Sequence, residues 1–226
     1  GNTTYGDQPR PRAAYAAMVS RLDYAVGEIL KKLQEKGVLQ NTIVMFSSDN
    51  GVHHEGGHDA EYFNSNAEFR GTKRDLYEGG IRTPFIVRWD NHITGGTTSN
   101  HVSAFWDFMP TVAEVLNIKA ADGCDGISLL PSLTGKGEQK EHDYIYHECY
   151  EQGGKQSIIK DGWKLVRLNL NRPDKIVEEL YCLEMDTQEK INLADRYSGK
   201  VKELRDLAAS AHKPSGIFKW GNQNKK

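Results

Sequence analysis

The chain has 226 residues, of which 38% are hydrophobic and 27% charged, and its formal net charge at pH 7 is −2. This balance is typical of a folded globular protein and excludes an intrinsically disordered chain, which lacks the apolar content to bury a core. Because 29 basic residues face 31 acidic ones, there is no overall positive field, and nucleic acid is not expected as a partner.

The cysteines and the start of the chain further limit the classes of protein to which this sequence can belong. Cys124, Cys149 and Cys182 are far apart and lack the Cys-x-x-Cys spacing of zinc or redox sites, so we interpret them as structural or incidental. No run approaches the roughly 18 apolar residues of a membrane span, and the N-terminus has no signal-peptide pattern. Gly1 and a polar segment stand in place of an initiating methionine, which we interpret as a truncated start.

The first predicted element is an amphipathic helix. Apolar residues recur every three or four positions from Tyr15 to Leu33, and Gly37 supplies the expected stop. The β-branched run at residues 42–46 then predicts a buried parallel strand that leads into a polar loop. Residues 52–77 have no period and are dense in polar side chains, and loops of this length within a domain are usually functional.

The next two elements continue an α/β pattern. Residues 84–89 predict a second buried strand, and the apolar residues within 106–116 predict a helix. Pro110 is compatible with that helix only in its first turn. A succession of helix, strand, loop, strand and helix indicates an α/β domain, which we place at residues 1–135.

The remaining residues, 136–226, predict a small second domain. Short alternating runs are separated by turns such as Asp161-Gly162, which is typical of an antiparallel sheet. A final helix is expected over residues 200–211. The predicted fold class is therefore α/β, with an α/β domain followed by a small α+β subdomain that has an antiparallel sheet and a C-terminal helix.

The first predicted strand leads into Asp49-Asn50-Gly51, a candidate cation site. A carboxylate and an amide oxygen at the carboxyl edge of a sheet are hard ligands of the kind that calcium prefers. On these three residues alone a plain turn is the simpler interpretation, because Asp-Asn-Gly is a common way to open a loop.

Longer motifs give this pattern its specificity. The Ser-Asp-Asn-Gly strand end is followed by Arg-Gly-Thr-Lys at residues 70–73 and by Tyr-Glu-Gly-Gly-Ile-Arg-Thr-Pro at residues 77–84. Together the three motifs resemble the second signature region of formylglycine-dependent sulfatases, in the alkaline phosphatase superfamily. The resemblance covers nearly the whole chain, because it continues at residues 106–111, 125–131, 179–181 and 192–194.

The resemblance implies roles for three residues. Asp49 and Asn50 would supply two calcium ligands, and Lys73 would be the catalytic and substrate-binding residue that contacts the sulfate group. Calcium and an ammonium group both stabilise negative charge on sulfuryl oxygens, which is the electrostatic help that sulfuryl transfer needs. Without the resemblance, Lys73 would be interpreted as a solvated surface lysine.

Several elements of the family pattern are missing from the sequence. The family requires a Cys/Ser-x-Pro/Ala-x-Arg element whose first residue becomes formylglycine, and none of the three cysteines lies in one. The earlier pair of calcium aspartates and the upstream lysine and histidines are also missing. We therefore expect the C-terminal portion of a sulfatase, inactive alone, whose partner is the N-terminal half of the same enzyme with its formylglycine.

His53 and His58 are the preferred candidates for contacting the substrate. Polar loops on a rigid scaffold often carry specificity, and these side chains can hydrogen-bond sugar hydroxyls. Solvated loop residues and a transition-metal site stay open as alternatives, although no cysteine accompanies the histidines. The polar loop favours a sulfated carbohydrate as substrate, and the habit of the family favours a periplasmic or secreted enzyme.

Two other functions stay open on the sequence. A phosphodiesterase or phosphonate hydrolase of the same superfamily would share the fold, but it normally uses two transition metals, and the Arg-Gly-Thr-Lys element argues against it. A non-catalytic carbohydrate-binding or structural module would lack the nucleophile by nature. The gene sequence upstream of Asn2 separates the enzyme from the module, since only the enzyme needs a formylglycine element there.

Overall fold

The computed structural model describes residues 8–218 and residue 220. Gly1 and the polar residues behind it, which motivated the expectation of a truncated start, lie outside the described part. The chain forms two compact units. The first unit contains residues 8–19, Ser48–Thr83, 144–218 and 220, and the second contains Ser20–Ser47 and Pro84–Asp143.

Helices and short strands alternate in the first part of the chain, and a run of strands and a helix follow. The helices are α1 (Pro11–Glu35), α2 (Glu78–Ile81), α3 (Phe108–Val115), α4 (Leu130–Thr134) and α5 (Ser198–Ala211). The strands are β1 (Val44–Ser47), β2 (Phe85–Arg88), β3 (Ile145–Cys149), β4 (Lys155–Lys160), β5 (Trp163–Leu168) and β6 (Val177–Cys182). Helices combined with antiparallel sheets confirm the predicted α/β class and the predicted C-terminal sheet and helix.

In the second unit, β1 and β2 form a two-stranded sheet. Their pairing is antiparallel, with Val44 opposite Arg88, so the prediction of a parallel strand is wrong for this pair. A run of β-branched residues favours an extended strand, but its direction depends on a partner that is distant in the chain. Phe85 and Ile86 are 44% and 61% exposed, so β2 is not the buried strand that its apolar sequence predicted.

Helix α1 has the apolar stripe that the sequence predicted. Gly37 adopts a φ of 68° just beyond its last residue and thereby ends the helix, as expected. No residue of α1 is buried, and Met18, Leu22 and Ile29 are all more than half exposed. Part of the stripe is therefore left uncovered by the described residues.

A buried carboxylate joins two of the sequence motifs in the second unit. Asp107 precedes α3 and has no exposed surface. Its two oxygens accept hydrogen bonds from the N–H of Ala104 at 2.7 Å and from the N–H of Ile127 at 2.9 Å. The motifs at 106–111 and 125–131 are thus joined, because Asp107 of the first accepts the N–H of Ile127 in the second.

In the first unit, four antiparallel strands form a sheet in the order β3-β4-β5-β6. Asp161 and Gly162, with φ of 51° and 73°, make the turn between β4 and β5, which confirms the predicted Asp-Gly turn. One face of the sheet packs against α5. The core between them is formed by Ile158, Leu165, Leu180, Val201, Leu204 and Ala208.

The opposite face of this sheet supports the polar segment Ser48–Thr83. Lys164 and Val166 alternate along β5 with the core residue Leu165, so they point to the side away from α5. On that side Tyr77 packs against Val166 and Tyr181. The sheet therefore positions the segment that contains the three sulfatase-like motifs.

Candidate functional site

Asp49 and Asn50, the predicted calcium ligands, follow β1 closely in the chain. The side chain of Asp49 is exposed and makes no hydrogen bond or ion pair with another described residue. The amide nitrogen of Asn50 donates to the carbonyl of Gly51 at 2.9 Å, so its amide oxygen is the atom left to bind a ligand. A carboxylate and an amide oxygen on adjacent residues suit a hard cation such as calcium.

These two oxygens account for only part of a calcium shell, which contains about six to eight oxygens. Within residues 8–218 and 220, no group of three or more His, Cys, Asp or Glu side chains is arranged to hold a metal ion. The donors thus fit calcium in chemical type. Further ligands would have to come from backbone, water or another part of the protein.

Backbone contacts at glycine residues bring the three motifs together. Gly51 donates its N–H to the carbonyl of Gly80 at 2.9 Å, and a Cβ atom on Gly51 would overlap the carbonyl oxygen of Gly79. Gly79 donates in turn to the carbonyl of Arg70 at 2.6 Å, and a Cβ atom there would lie 2.5 Å from the oxygen of Gly71. We call the contact of Gly51 with Gly79 and Gly80 the glycine junction, since only glycine allows this approach.

Lys73, the predicted sulfate-contacting residue, lies in the same unit. Its N–H donates to the carbonyl of Val52 at 2.7 Å, so its backbone adjoins the segment that follows Asn50. Its ammonium nitrogen is 3.7 Å from the carboxylate of Glu55, and its side chain is 31% exposed. The structure thus brings Lys73 and the Asp49-Asn50 pair onto adjoining backbone segments.

The carboxylate of Glu55 joins three basic side chains of the loop. It accepts a hydrogen bond from Arg74 at 2.9 Å and lies 3.7 Å from Lys73 and 3.9 Å from His53. The hydrogen bond from Arg74 is the main cause that lowers the pKa of Glu55, and the charge of Lys73 acts in the same direction. The carboxylate of Glu55 therefore keeps Lys73 and Arg74 together, and the backbone N–H of Glu55 donates to Nδ1 of His53 at 2.9 Å.

His53 and His58 come close together but lie in different environments. Their ring centroids are 6.0 Å apart. His53 is partly exposed, whereas His58 is buried and packs against Tyr15 and Phe63 at centroid distances of 3.9 Å and 5.8 Å. Burial lowers the pKa of His58, so its ring is neutral near pH 7. His53 is the more accessible of the two candidates.

Arg70 anchors the Arg-Gly-Thr-Lys motif, a role that the sequence did not reveal. Its guanidinium group donates to the hydroxyl of Tyr181 at 2.7 Å and to that of Tyr77 at 3.1 Å. Both hydroxyls donate to the carboxylate of Glu179 at 2.6 Å. Glu179 and Tyr181 belong to one of the later resembling segments, which was the only sequence signal for this anchor.

A second anchor is a buried ion cluster formed by Lys164, Glu78 and Glu189. The ammonium nitrogen of Lys164 lies 2.9 Å from Glu78 and 2.8 Å from Glu189. The other oxygen of Glu189 accepts the backbone N–H of Glu78 at 2.7 Å. Lys164 and Glu189 have no exposed surface, and this burial raises the pKa of Glu189. No local sequence pattern indicated this cluster.

None of the described helices has the length and apolar character needed to cross a membrane.

Comparisons with known proteins define the class to which this fold and these motifs belong. A sequence model of the sulfatase family matches residues 1–118. A second model, described as the C-terminal part of N-sulphoglucosamine sulphohydrolase, matches residues 69–210. The chain therefore belongs to the sulfatase family, which confirms the prediction from its motifs.

Similar proteins are named as sulfatases. The chain is 35% identical over 140 residues to steryl-sulfatase of Mus musculus, a match that covers 60% of this chain and 22% of that protein. It is 28% identical over 209 residues to N-acetylglucosamine-6-O-sulfatase of Bacteroides thetaiotaomicron, covering 88% of this chain and 35% of that protein. The chain thus spans between about a fifth and about a third of the length of these two relatives.

A solved structure gives the same assignment in three dimensions. It is described as a complex with its substrate D-glucosamine-2-N,6-O-disulfate and is 28% identical to this chain, with a TM-score of 0.69. The match covers 87% of this chain and 39% of that chain.

Proposed function

We propose that this chain is the C-terminal portion of an enzyme that hydrolyses sulfate esters of carbohydrates with calcium and formylglycine. The glycine junction carries the proposal, because it ties the segment that contains Asp49 and Asn50 to the motif next to Lys73. This contact supports one site made of all three residues. The domain boundary after residue 135 and a periplasmic or secreted location stay predictions.

The roles of this chain follow from its charges. Asp49 and Asn50 would hold calcium, which supplies positive charge to the sulfate oxygens when it is bound. Lys73 would add a second positive charge to the same oxygens, with Glu55 as its neighbouring acid. As the ester sulfur–oxygen bond breaks, its electron pair passes to the leaving alcohol oxygen, and the two positive charges would neutralise the sulfuryl oxygens so that a nucleophile can approach sulfur. This chain would therefore bind and polarise the sulfate group, and the formylglycine element of the N-terminal half would supply the attacking oxygen.

Exposed apolar surface supports an N-terminal half as the partner. Soluble proteins rarely leave large apolar patches uncovered. Met18, Leu22 and Ile29 form such a stripe on α1, and Ile86 on β2 is 61% exposed.

A sulfated amino sugar is the substrate class that we favour. The N-acetylglucosamine-6-O-sulfatase relative aligns with more of this chain than steryl-sulfatase does, and the matched complex holds a glucosamine disulfate. His53 and His58 stay the candidates for contacting the sugar, and His53 has the greater exposure. Its partly exposed ring lies beside Glu55, close to the charge of Lys73.

The full-length protein is expected to release sulfate from glucosamine 6-O-sulfate, whereas the 226-residue chain alone is expected to release none above a buffer blank, because it lacks the nucleophile. Sulfate release by equimolar protein, followed by ion chromatography, tests both statements. Phenylphosphonate ester and steryl sulfate serve as competing substrates. Preference of the full-length protein for the phosphonate ester would support a phosphonate hydrolase, and no turnover of any ester would support a non-catalytic module.

A further inference from the structure

The buried ion cluster of Lys164, Glu78 and Glu189 lies directly behind the glycine junction. We propose that this cluster positions the calcium ligands Asp49 and Asn50, an inference that rests on the proposed function. None of the three cluster residues would touch calcium or substrate. Their role would be to hold the backbone from which the two ligand side chains project.

The connection to the calcium ligands runs through a short stretch of backbone. Glu78 immediately precedes Gly79, and the carbonyl of Gly80 accepts the N–H of Gly51 at 2.9 Å. Gly51 in turn follows Asn50, whose amide nitrogen is bound to the Gly51 carbonyl. A displacement of Glu78 therefore moves the acceptor that holds Gly51, and the ligand residue beside it moves as well.

The ligand side chains have little else to hold them. Asp49 is exposed and has no hydrogen bond or ion pair with another described residue. A flexible ligand binds a metal ion more weakly, because binding then has to fix it at an entropic cost. The stability of the backbone at Gly51 thus sets how well Asp49 and Asn50 are prepared for calcium.

The charge of Lys164 is better explained as a means of orienting Glu78 than as a source of stability. Buried ion pairs add little net stability compared with apolar side chains of similar volume, since both charges lose their water. The surroundings of Lys164 on this face include Val166 and Tyr181, and an apolar side chain would pack there. The ammonium group of Lys164 instead fixes the orientation of Glu78. It contacts the Glu78 carboxylate at 2.9 Å, while Glu189 accepts the Glu78 N–H at 2.7 Å.

The neighbouring motif has a separate anchor. The ammonium of Lys155 contacts the carbonyl of Arg74 at 3.0 Å and the carboxylate of Asp75 at 2.7 Å, so it holds the turn that follows Lys73. Lys155 and Lys164 therefore support different parts of the proposed site. Lys164 serves the calcium side and Lys155 the sulfate side.

The test uses the full-length enzyme with Lys164→Met, which keeps most of the length of the side chain and removes its charge. Calcium is removed with a chelator, and its dissociation constant is measured by titration calorimetry. We expect the dissociation constant to rise at least about tenfold, together with faster amide hydrogen exchange in residues 48–52. Leu204→Ala is the matched control, because it truncates a fully buried side chain on the other face of the sheet. It should lower the melting temperature but leave the calcium dissociation constant within about twofold.

Glu78→Gln is the second variant, since it keeps the shape of the side chain and gives an answer even if Lys164→Met does not fold. It is expected to weaken calcium binding and to loosen residues 48–52 in the same way. Asp49→Ala separates this inference from the proposed function. If Asp49→Ala loses calcium while Glu78→Gln and any folded Lys164→Met bind it like the wild type, the positioning role is overturned. If Asp49→Ala itself binds calcium like the wild type, the proposed function fails instead.

Discussion

Gly51 has no functional group, yet the two proposed calcium ligands depend on where its backbone lies. Its N–H is bound to Gly80, and the carbonyl oxygen of Gly79 occupies the space that a side chain would need. At the scale of single residues, the site is thus defined as much by the absence of a methyl group as by the presence of charged groups.

Gly51→Ala tests this requirement in the full-length enzyme. The added methyl group has to displace the Gly79 carbonyl, an overpacking that typically costs about 1–3 kcal/mol of stability. We expect a lower melting temperature and a loss of at least about tenfold in kcat/KM. Gly95→Ala is the control, because a Cβ atom there meets nothing within 4 Å. Wild-type kinetics for Gly51→Ala would show that the junction is not needed for the site.

At the scale of elements, the four-stranded sheet and α5 provide the rigid support for the motifs. The tight turn between β4 and β5 sets the register of this strand pair, in which Lys164 lies opposite Ile159 and points away from the α5 core. Glycine has contrasting roles in these two elements, since Gly162 lies in that turn with a φ of 73° whereas Gly199 lies in the first turn of α5.

Gly162→Ala and Gly199→Ala are expected to change stability in opposite directions. Alanine at a positive φ is strained, so Gly162→Ala should lower the free energy of unfolding by about 1 kcal/mol. Alanine is a better helix former than glycine and has open space at position 199, so Gly199→Ala should raise the same quantity by about 0.5–1 kcal/mol. Urea unfolding measures both. A stabilising Gly162→Ala would mean that the turn is not formed as described.

The sequence predicted those elements whose signals are local. The Asp161-Gly162 turn, the alternating strands around it and the periodic α5 were all identified, because each depends on neighbours within a few residues. The direction of β1 relative to β2 was predicted wrongly, since pairing depends on a distant segment. The ion pair of Lys164 with Glu78 was missed for the same reason, because its partners are 86 residues apart in the chain.

At the scale of the whole molecule, this chain spans only part of the length of its relatives, so the activity that we propose is that of the whole protein. The sulfatase motifs predicted the family correctly, because three ordered motifs are specific even when each is weak. The sequence did not predict that His58 would be buried against Tyr15 and Phe63, since aromatic packing around a loop leaves no periodic pattern.

The most direct test of the central claim compares Lys73→Ala with Arg74→Ala in the full-length enzyme, with kcat/KM measured on a sulfated glucosamine. Removing one charged contact to a transferring group costs about 2.7–4 kcal/mol, so Lys73→Ala should lose about a hundred- to a thousandfold in rate at an unchanged melting temperature. Arg74 is the adjacent cation, paired with Glu55 and Glu151, and its removal should have a much smaller effect on the rate. A wild-type rate for Lys73→Ala, or an equal loss for Arg74→Ala, would contradict the assignment of Lys73 to the sulfate group.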